Sequence, residues 1–222
     1  MEYNLLDISD RTVSFNFSNK IDQKINSKIV ELSYEINRIL DQLNIVSCYP
    51  TYNSLIIDYD PLNIERDKLR KDISEIIENF DFKDLNSDAI FEIDVNYGGN
   101  YGEDLKSVSE FTKLSEKDVI KIHSSSIYHV YMIGFSPGFP YLGGLNKKLI
   151  CPRLDSPRKI VPAGSVGIAD QQTGIYPYES SGGWRLIGMT DENLFDNKLA
   201  SPSILKPGMK LKFNEIWSSE IN

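Results

Sequence analysis

The sequence is poor in the residue types that most metal and nucleophile sites require. Its 222 residues contain two histidines, His123 and His129, and two cysteines, Cys48 and Cys151. The cysteines lie far apart without CxxC spacing, and no HxxxH pair or carboxylate cluster at ligand spacing accompanies the histidines, so no metal site is predicted. A reduced compartment follows as the simplest setting, with both thiols as small core or near-surface side chains. Basic charge is also in deficit. Lys and Arg number 24 against 32 Asp and Glu, for a formal net charge of -8, which argues against a nucleic-acid partner because phosphate recognition needs a basic face. No apolar run is long enough to span a bilayer, and no basic-then-apolar segment opens the chain, so a cytoplasmic protein without a membrane partner is expected.

What is present divides into two parts. Residues 1 to 88 carry 10 basic and 17 acidic side chains, residues 89 to 222 carry 14 and 15, so basic groups concentrate in the second part. Tyr3 to Ile8 and Thr12 to Phe17 read as strands joined by a polar turn. Ile21, Ile25, Ile29, Leu32, Ile36, Ile39 and Leu43 recur at three and four, the stripe of one long amphipathic helix. Ile45 to Tyr52 and Leu55 to Tyr59 are β-branched and aromatic runs. Leu69, Ile73, Ile76, Ile77 and Phe80 mark a second helix, with Asn63 as its expected N-cap. A ββαββα order whose helices each have one apolar stripe predicts a small ferredoxin-like α/β sandwich over 1–84. The polar 81–88 stretch is the expected linker.

From residue 89 the pattern changes. Ile90 to Tyr97 reads as a strand and runs into Gly98-Gly99-Asn100-Tyr101-Gly102. Glu103 to Phe111 and Glu116 to His123 read as short helices, the second opened by a Ser115/Asp118 capping pair. After Ile127, short strands alternate with Gly/Pro turns (Ile127 to Ile133, Lys159 to Val161, Ser165 to Ala169, Trp184 to Met189, Lys210 to Phe213). That spacing predicts a closed or nearly closed β-barrel over 89–222, and an α+β protein as a whole.

The stretch from Tyr131 to Arg185 carries the chemistry. Gly134-Phe135-Ser136-Pro137-Gly138 matches the G-x-S-x-G nucleophile elbow, but two features oppose a serine hydrolase. Pro137 lacks the N–H that the oxyanion hole takes from that position, and both histidines precede the serine. Ser136 is left as a ligand hydrogen-bonding candidate. No phosphate loop precedes Lys106-Ser107, and Glu103-Asp104 at a helix start opposes phosphate binding while suiting the helix dipole; Asp104 reads as a helix-end stabiliser. Lys147, Lys148, Arg153, Arg158 and Lys159 have only Asp155 among them. The ordinary reading is a solvated basic loop; the functional one is an anion site, since Pro152 and Pro157 fix the backbone before each arginine. His123 closes a helix, where contact with the last carbonyls is the ordinary role and acid/base work the functional one. Tyr176, Tyr178 and Trp184 beside glycine turns read as barrel-end plugs or as the mouth of a pocket.

Together, Gly134-Phe135-Ser136-Pro137-Gly138-Phe139-Pro140-Tyr141-Leu142, Pro152-Arg153, Pro157-Arg158, Val161-Pro162-Ala163-Gly164-Ser165-Val166-Gly167-Ile168-Ala169, Gly174-Ile175-Tyr176-Pro177 and Gly182-Gly183-Trp184 resemble the KipI family. That family is also called PxpB, the B-type 5-oxoprolinase subunit, and is described as similar to the first subunit of allophanate hydrolase. Val95-Asn96-Tyr97-Gly98-Gly99, Asp104-Leu105, Val119 to His123 and Leu205-Lys206-Pro207-Gly208 add to the resemblance, which runs the length of the chain.

The resemblance implies a small α/β domain followed by a cyclophilin-like β-barrel. It implies a KipA-like partner, equivalent to the C-type subunit of 5-oxoprolinase, and a further protein like its A-type subunit. With them comes ATP-dependent hydrolysis of the small anionic substrate 5-oxo-L-proline to L-glutamate, the chain being inactive alone. On that reading His123 is the proton-transfer candidate and Arg158 the second catalytic one. Ser136, Arg153, Lys159, Ser165 and Tyr176 are substrate-binding candidates. Phe135, Pro137, Gly138, Phe139, Tyr141 and Trp184 shape the cleft or contact the partner. The KipI name also implies an alternative, inhibition of a sporulation-type histidine kinase antagonised by a KipA-like protein. Three positions depart from the family pattern: Ser181 where proline is expected before Gly-Gly-Trp, and Asn100 with Glu103 where glutamate and then proline are expected.

Overall fold

The computed structural model describes residues 1–82 and 89–216. It divides into two compact units, Met1–Asn86 and Ser87–Asn222. Most of the expected linker, residues 83–88, lies outside the described residues.

The first unit is a four-stranded antiparallel sheet with helices packed on it. β1 (Asn4–Asp7) and β2 (Thr12–Asn16) form the expected hairpin. α1 (Gln23–Asn37), α2 (Leu40–Leu43), β3 (Ile45–Pro50), β4 (Ser54–Tyr59) and α3 (Arg66–Asn79) follow, and the strand order is β1-β2-β4-β3. Val13, Phe15, Leu55, Ile57 and Tyr59 of the sheet meet Ile29, Leu32, Ile36, Leu69, Ile73 and Ile77 of the helices. Pattern reasoning erred at two helix ends. The stripe from Ile21 to Leu43 runs across a break, because Ile39 leaves helical geometry (φ -124°, ψ 21°) and α2 is a separate turn. A break in the backbone does not interrupt the spacing of apolar residues, so periodicity cannot register it. Asn63 is not the cap of α3, which begins after Glu65; Asn63 instead belongs to a turn gathered by Asp60. Asp22, whose carboxylate accepts from Ile25 N–H at 3.0 Å, caps α1.

The second unit is a closed barrel of seven strands in the order β10-β7-β6-β13-β5-β12-β9. These are β5 (Ile90–Tyr97), β6 (Ile127–Ile133), β7 (Pro140–Gly143), β9 (Ser165–Ala169), β10 (Gln172–Ile175), β12 (Arg185–Met189) and β13 (Lys210–Glu215). A separate two-stranded ribbon pairs β8 (Arg158–Val161) with β11 (Ser180–Gly182). α4 (Leu105–Thr112) and α5 (Glu116–Ser125) fall between β5 and β6, and Ser115 accepts from Asp118 N–H at 3.1 Å to cap α5. Alternate residues of the strands fill the barrel, among them Ile93, Val95, Val130, Val166, Ile168, Ile187, Leu211 and Phe213. A second cluster of Phe139, Val161, Ala169, Tyr176, Trp184 and Leu186 builds a separate apolar layer. Ala169 of β9 alternates with Ile168, so one strand serves both layers through its two faces.

Strands β7, β10 and β11 are three or four residues long and rich in glycine, proline and serine. Pairing with neighbouring strands creates them, β7 with β6, β10 with β9 and β11 with β8, so local propensity did not mark them. Among the described residues no helix is long and apolar enough to cross a membrane, and no group of three or more His, Cys, Asp or Glu is placed to hold a metal.

Candidate functional site

The loop between β6 and β7 is a tight reversal. Gly134 N–H donates to Phe139 O at 3.0 Å and Phe139 N–H to Ser136 O at 3.0 Å. Phe135 sits at φ 66° and Gly138 at φ 84°. The left-handed setting suits Gly138, whose missing side chain also leaves room for Phe195: a Cβ there would lie 2.7 Å from the Phe195 Cβ. For Phe135 the same setting is strained, and its ring is 62% exposed. A strand–turn–strand with Pro137 at the critical position is not the strand–turn–helix of a nucleophile elbow. Ser136, half buried, and Pro137, exposed, are parts of this turn.

Behind Phe135 the rings interlock edge to face. Phe135 meets Phe139 at 5.5 Å and Tyr176 at 6.4 Å. Phe139 meets Tyr141 at 5.1 Å, Tyr176 at 5.2 Å and Trp184 at 5.4 Å, and Tyr141 meets Trp184 at 6.0 Å. Each such pair adds about 0.5–1.5 kcal/mol beyond its buried area, so the wall is rigid. The Arg153 guanidinium lies over the Trp184 ring at 5.9 Å. Burial raises the phenol pKa of Tyr176, opposed by a hydrogen bond with the Trp184 backbone and by the charge of Arg153; the Tyr141 phenol is raised by burial and opposed by Arg153. Five expected residues, Phe135, Phe139, Tyr141, Tyr176 and Trp184, therefore converge with Arg153 on one surface.

Arg158 is held differently. Its Nε lies 2.9 Å from Glu103 Oε1 and its Nη2 2.7 Å from Asp104 Oδ1. The other Asp104 oxygen accepts from Leu186 N–H at 2.7 Å. Asp104 stands at the N-cap position of α4, at the helix end the sequence suggested, but its carboxylate makes no cap bond and instead ties β12 to the ribbon strand β8. Two carboxylates hold the Arg158 Nε and Nη2, while its Nη1 is buried without a hydrogen-bond partner among the described residues, so the expected anion-binding arginine is first of all an ion-paired one. The Gly98–Gly102 loop is closed on itself and on β12. Gly102 N–H donates to Gly98 O and Gly98 N–H to Ile187 O, both at 3.0 Å. Those amides are spent within the protein and are followed by two acids, so the loop does not fit a nucleotide phosphate.

His123 also departs from expectation. It is completely buried in the barrel, stacked on Phe213 at 4.7 Å. Thr173 Oγ1 donates to Gly167 O at 2.9 Å, so it accepts from His123 Nε2–H at 2.9 Å; His123 Nδ1 then accepts from Tyr97 O–H at 2.8 Å. This series of bonds fixes the Nε2–H tautomer and uses both nitrogens of a neutral ring. Burial lowers its pKa to about 3. An imidazole with both nitrogens engaged and no exposure to solvent is not placed for proton transfer to a ligand, and its role here is to link β5, α5 and β10. His129 is likewise buried, with a pKa lowered to about 4 by burial and by Lys210. Ser165 opens β9 with its hydroxyl sealed from solvent and unpartnered among the described residues, and it meets the aromatic wall through its backbone, its carbonyl accepting from Tyr176 N–H at 2.9 Å; Lys159 is exposed on the ribbon. Sequence reasoning missed Asp170, whose carboxylate lies 3.5 Å from Arg153 Nε. It also missed Arg185, which donates to Pro152 O at 2.9 Å and to Ser107 Oγ at 3.1 Å. Such pairs join residues 17 to 78 positions apart and leave no local signal.

A closed barrel with this aromatic, arginine-bearing wall, preceded in the chain by an α/β sandwich, is the build of a carboxyltransferase-type domain. The family described as "Carboxyltransferase domain, subdomain C and D" matches residues 3–205. The chain is 35% identical to the B subunit of 5-oxoprolinase from Bacillus subtilis (strain 168), over 97% of this chain and 94% of that one. It is 54% identical to the protein of the same name from Haemophilus influenzae, over 55% of this chain and 57% of that one. Among solved structures, TTHA0988 superposes with a TM-score of 0.84 at 31% identity, covering 94% of this chain. This chain spans only 41% of that longer one. The chain belongs to the family of 5-oxoprolinase B subunits.

Proposed function

We propose that this chain is the B subunit of a multi-component, ATP-dependent 5-oxoprolinase that opens 5-oxo-L-proline to L-glutamate in the cytoplasm, together with proteins like the A-type and C-type subunits. The observation that carries the reading is the likeness along nearly the whole chain to the B. subtilis protein. A lactam resists water because resonance must be broken at its carbonyl carbon. ATP would supply activation by phosphorylating the lactam oxygen. Water adding to the activated carbon would then break the C–N bond, the nitrogen keeping the electron pair and taking a proton, to give γ-glutamyl phosphate, and a second water would release inorganic phosphate and leave L-glutamate.

What this chain's own residues support is binding and exclusion of water. The interlocked rings of Phe139, Tyr141, Tyr176 and Trp184 offer an apolar, preorganised wall. Phe135, held exposed in a strained turn, suits contact with another protein that completes the site. The candidate acid/base group His123 is committed inside the barrel, which agrees with a component that does not catalyse alone. In this proposal the nucleotide belongs to the complex as a whole.

Reconstitution with the two partner proteins tests this. Glutamate release and 5-oxoproline-dependent ATP hydrolysis are expected from the three together and from none alone. A well-assembled complex lacking both activities overturns the proposal.

A further inference from the structure

Of the two arginines that follow prolines, the structure separates one from the other. Around Arg158 one positive charge faces two carboxylates at 2.9 and 2.7 Å. The local sum is negative, and an incoming anion would meet an excess of like charge. Around Arg153 the balance differs. Its guanidinium is 58% exposed and lies over the Trp184 ring, and its one carboxylate neighbour among the described residues is Asp170, at 3.5 Å from Nε and itself 65% exposed. A long, solvent-facing pair of this kind contributes little and is readily exchanged. Asp170 is positioned rather than incidental. Its N–H donates to Cys151 O at 2.7 Å, and it adopts φ 52° to turn from β9 into β10. The carboxylate is therefore carried on a fixed backbone beside Arg153.

The surroundings define what could take Asp170's place. Trp184 presents an indole between Arg153 on one side and Tyr141 and Phe139 on others. Phenols of Tyr141 and Tyr176 lie within electrostatic reach of Arg153. A guanidinium held above an aromatic face, beside phenols, suits a small ligand with one carboxylate and a compact, flat body. The carboxylate pairs with the guanidinium and the body lies against the half-buried Tyr141 and exposed Phe135, the rings of the layer open to it, since Phe139, Tyr176 and Trp184 are buried.

We propose that Arg153 is the carboxylate-recognising residue of this wall and that Asp170 is an internal surrogate occupying it until a small, flat carboxylic acid displaces it. Arg158 is a strut that fixes the 98–104 loop to the ribbon. Taking the acid to be 5-oxo-L-proline rests on the function proposed above; the recognition of a carboxylate at Arg153 does not.

The test has two arms. In the reconstituted complex, Arg153→Ala should raise KM for 5-oxo-L-proline about 10- to 100-fold, the range expected when a charge-assisted hydrogen bond is lost, with a smaller change in kcat. Asp170→Asn removes the competing charge, keeps a residue that tolerates a left-handed backbone, and should lower KM. An unchanged KM in Arg153→Ala, or an unchanged or raised KM in Asp170→Asn, overturns the proposal. The second arm needs no turnover: calorimetric titration of the assembled complex, without ATP, with 5-oxo-L-proline and with its neutral amide. Binding of the acid over the amide, lost in Arg153→Ala, supports the site; equal binding of the two, or no binding of the acid, overturns it. Carboxylate-selective binding in the second arm with no turnover by the intact complex leaves the site standing and removes the assigned reaction.

Discussion

His123 makes the barrel acid-labile in a way that can be calculated. Unfolded, its imidazole titrates near 6.5; folded, burial and two committed nitrogens hold the pKa near 3. Between those values the unfolded chain binds a proton that the folded chain refuses. Stability therefore falls as pH falls from about 6.5 toward 3 and is independent of this group above 6.5. Each pH unit in that window costs about 1.36 kcal/mol, so lowering pH from 6.5 to 4.5 should remove about 2.7 kcal/mol through His123 alone. That is a large part of an ordinary domain's 5–15 kcal/mol. His129, lowered to about 4, adds a similar loss over the same window. Carboxylates titrate in this range too, so the measurement is a difference. Urea unfolding of wild type and His123→Gln at half-unit steps from pH 7.5 to 4.5 should give slopes that diverge below 6.5, the wild type being steeper by about one proton. The variant should also be weaker at pH 7.5 by roughly 2–4 kcal/mol, since Tyr97 and Thr173 lose their shared partner. Parallel slopes, or an imidazole that NMR shows protonated in the folded protein at pH 5, would refute the reasoning whatever the absolute stabilities.

Two further outcomes follow from close contacts. Asp104→Ala leaves Arg158 with Glu103 alone and the Leu186 N–H without its acceptor, and should cost about 1–3 kcal/mol, read as a fall in Tm; Asp104→Asn, which keeps an acceptor for Leu186, should cost less. Gly102→Ala places a Cβ 2.1 Å from the Ile187 carbonyl oxygen, so the loop must part from β12. Loss of soluble protein or a Tm drop of more than about 4 °C is expected, the shift that roughly 1 kcal/mol gives in a domain of this size or smaller; a wild-type Tm would contradict the packing.

Much of this was legible in the chain. Apolar residues at three and four marked α1 and α3, β-branched runs marked β3 to β6, and the change of rhythm after Ile127 marked a barrel. Pro137 and the order of the histidines together opposed a serine nucleophile, the first because a proline nitrogen has no hydrogen to donate wherever it is placed. Gly/Pro punctuation located the wall from Phe135 to Trp184, and the order of motifs along the chain indicated the family. These are properties of covalent structure, local spacing or residue order, and each needs only the sequence.

What the tertiary structure decided was the state of the charged and titratable groups. Arg153 and Arg158 are alike in sequence, each after a proline in the same basic loop, yet one lies exposed over an indole and the other is clamped by Glu103 and Asp104 from 54 and more residues away. His123 ends a helix in either description, but only the closing of the barrel puts Tyr97 and Thr173 on its two nitrogens and removes it from solvent. Electrostatic free energy depends on distance and on the surrounding dielectric. Both are set by which strands become neighbours, and a linear chain does not contain them.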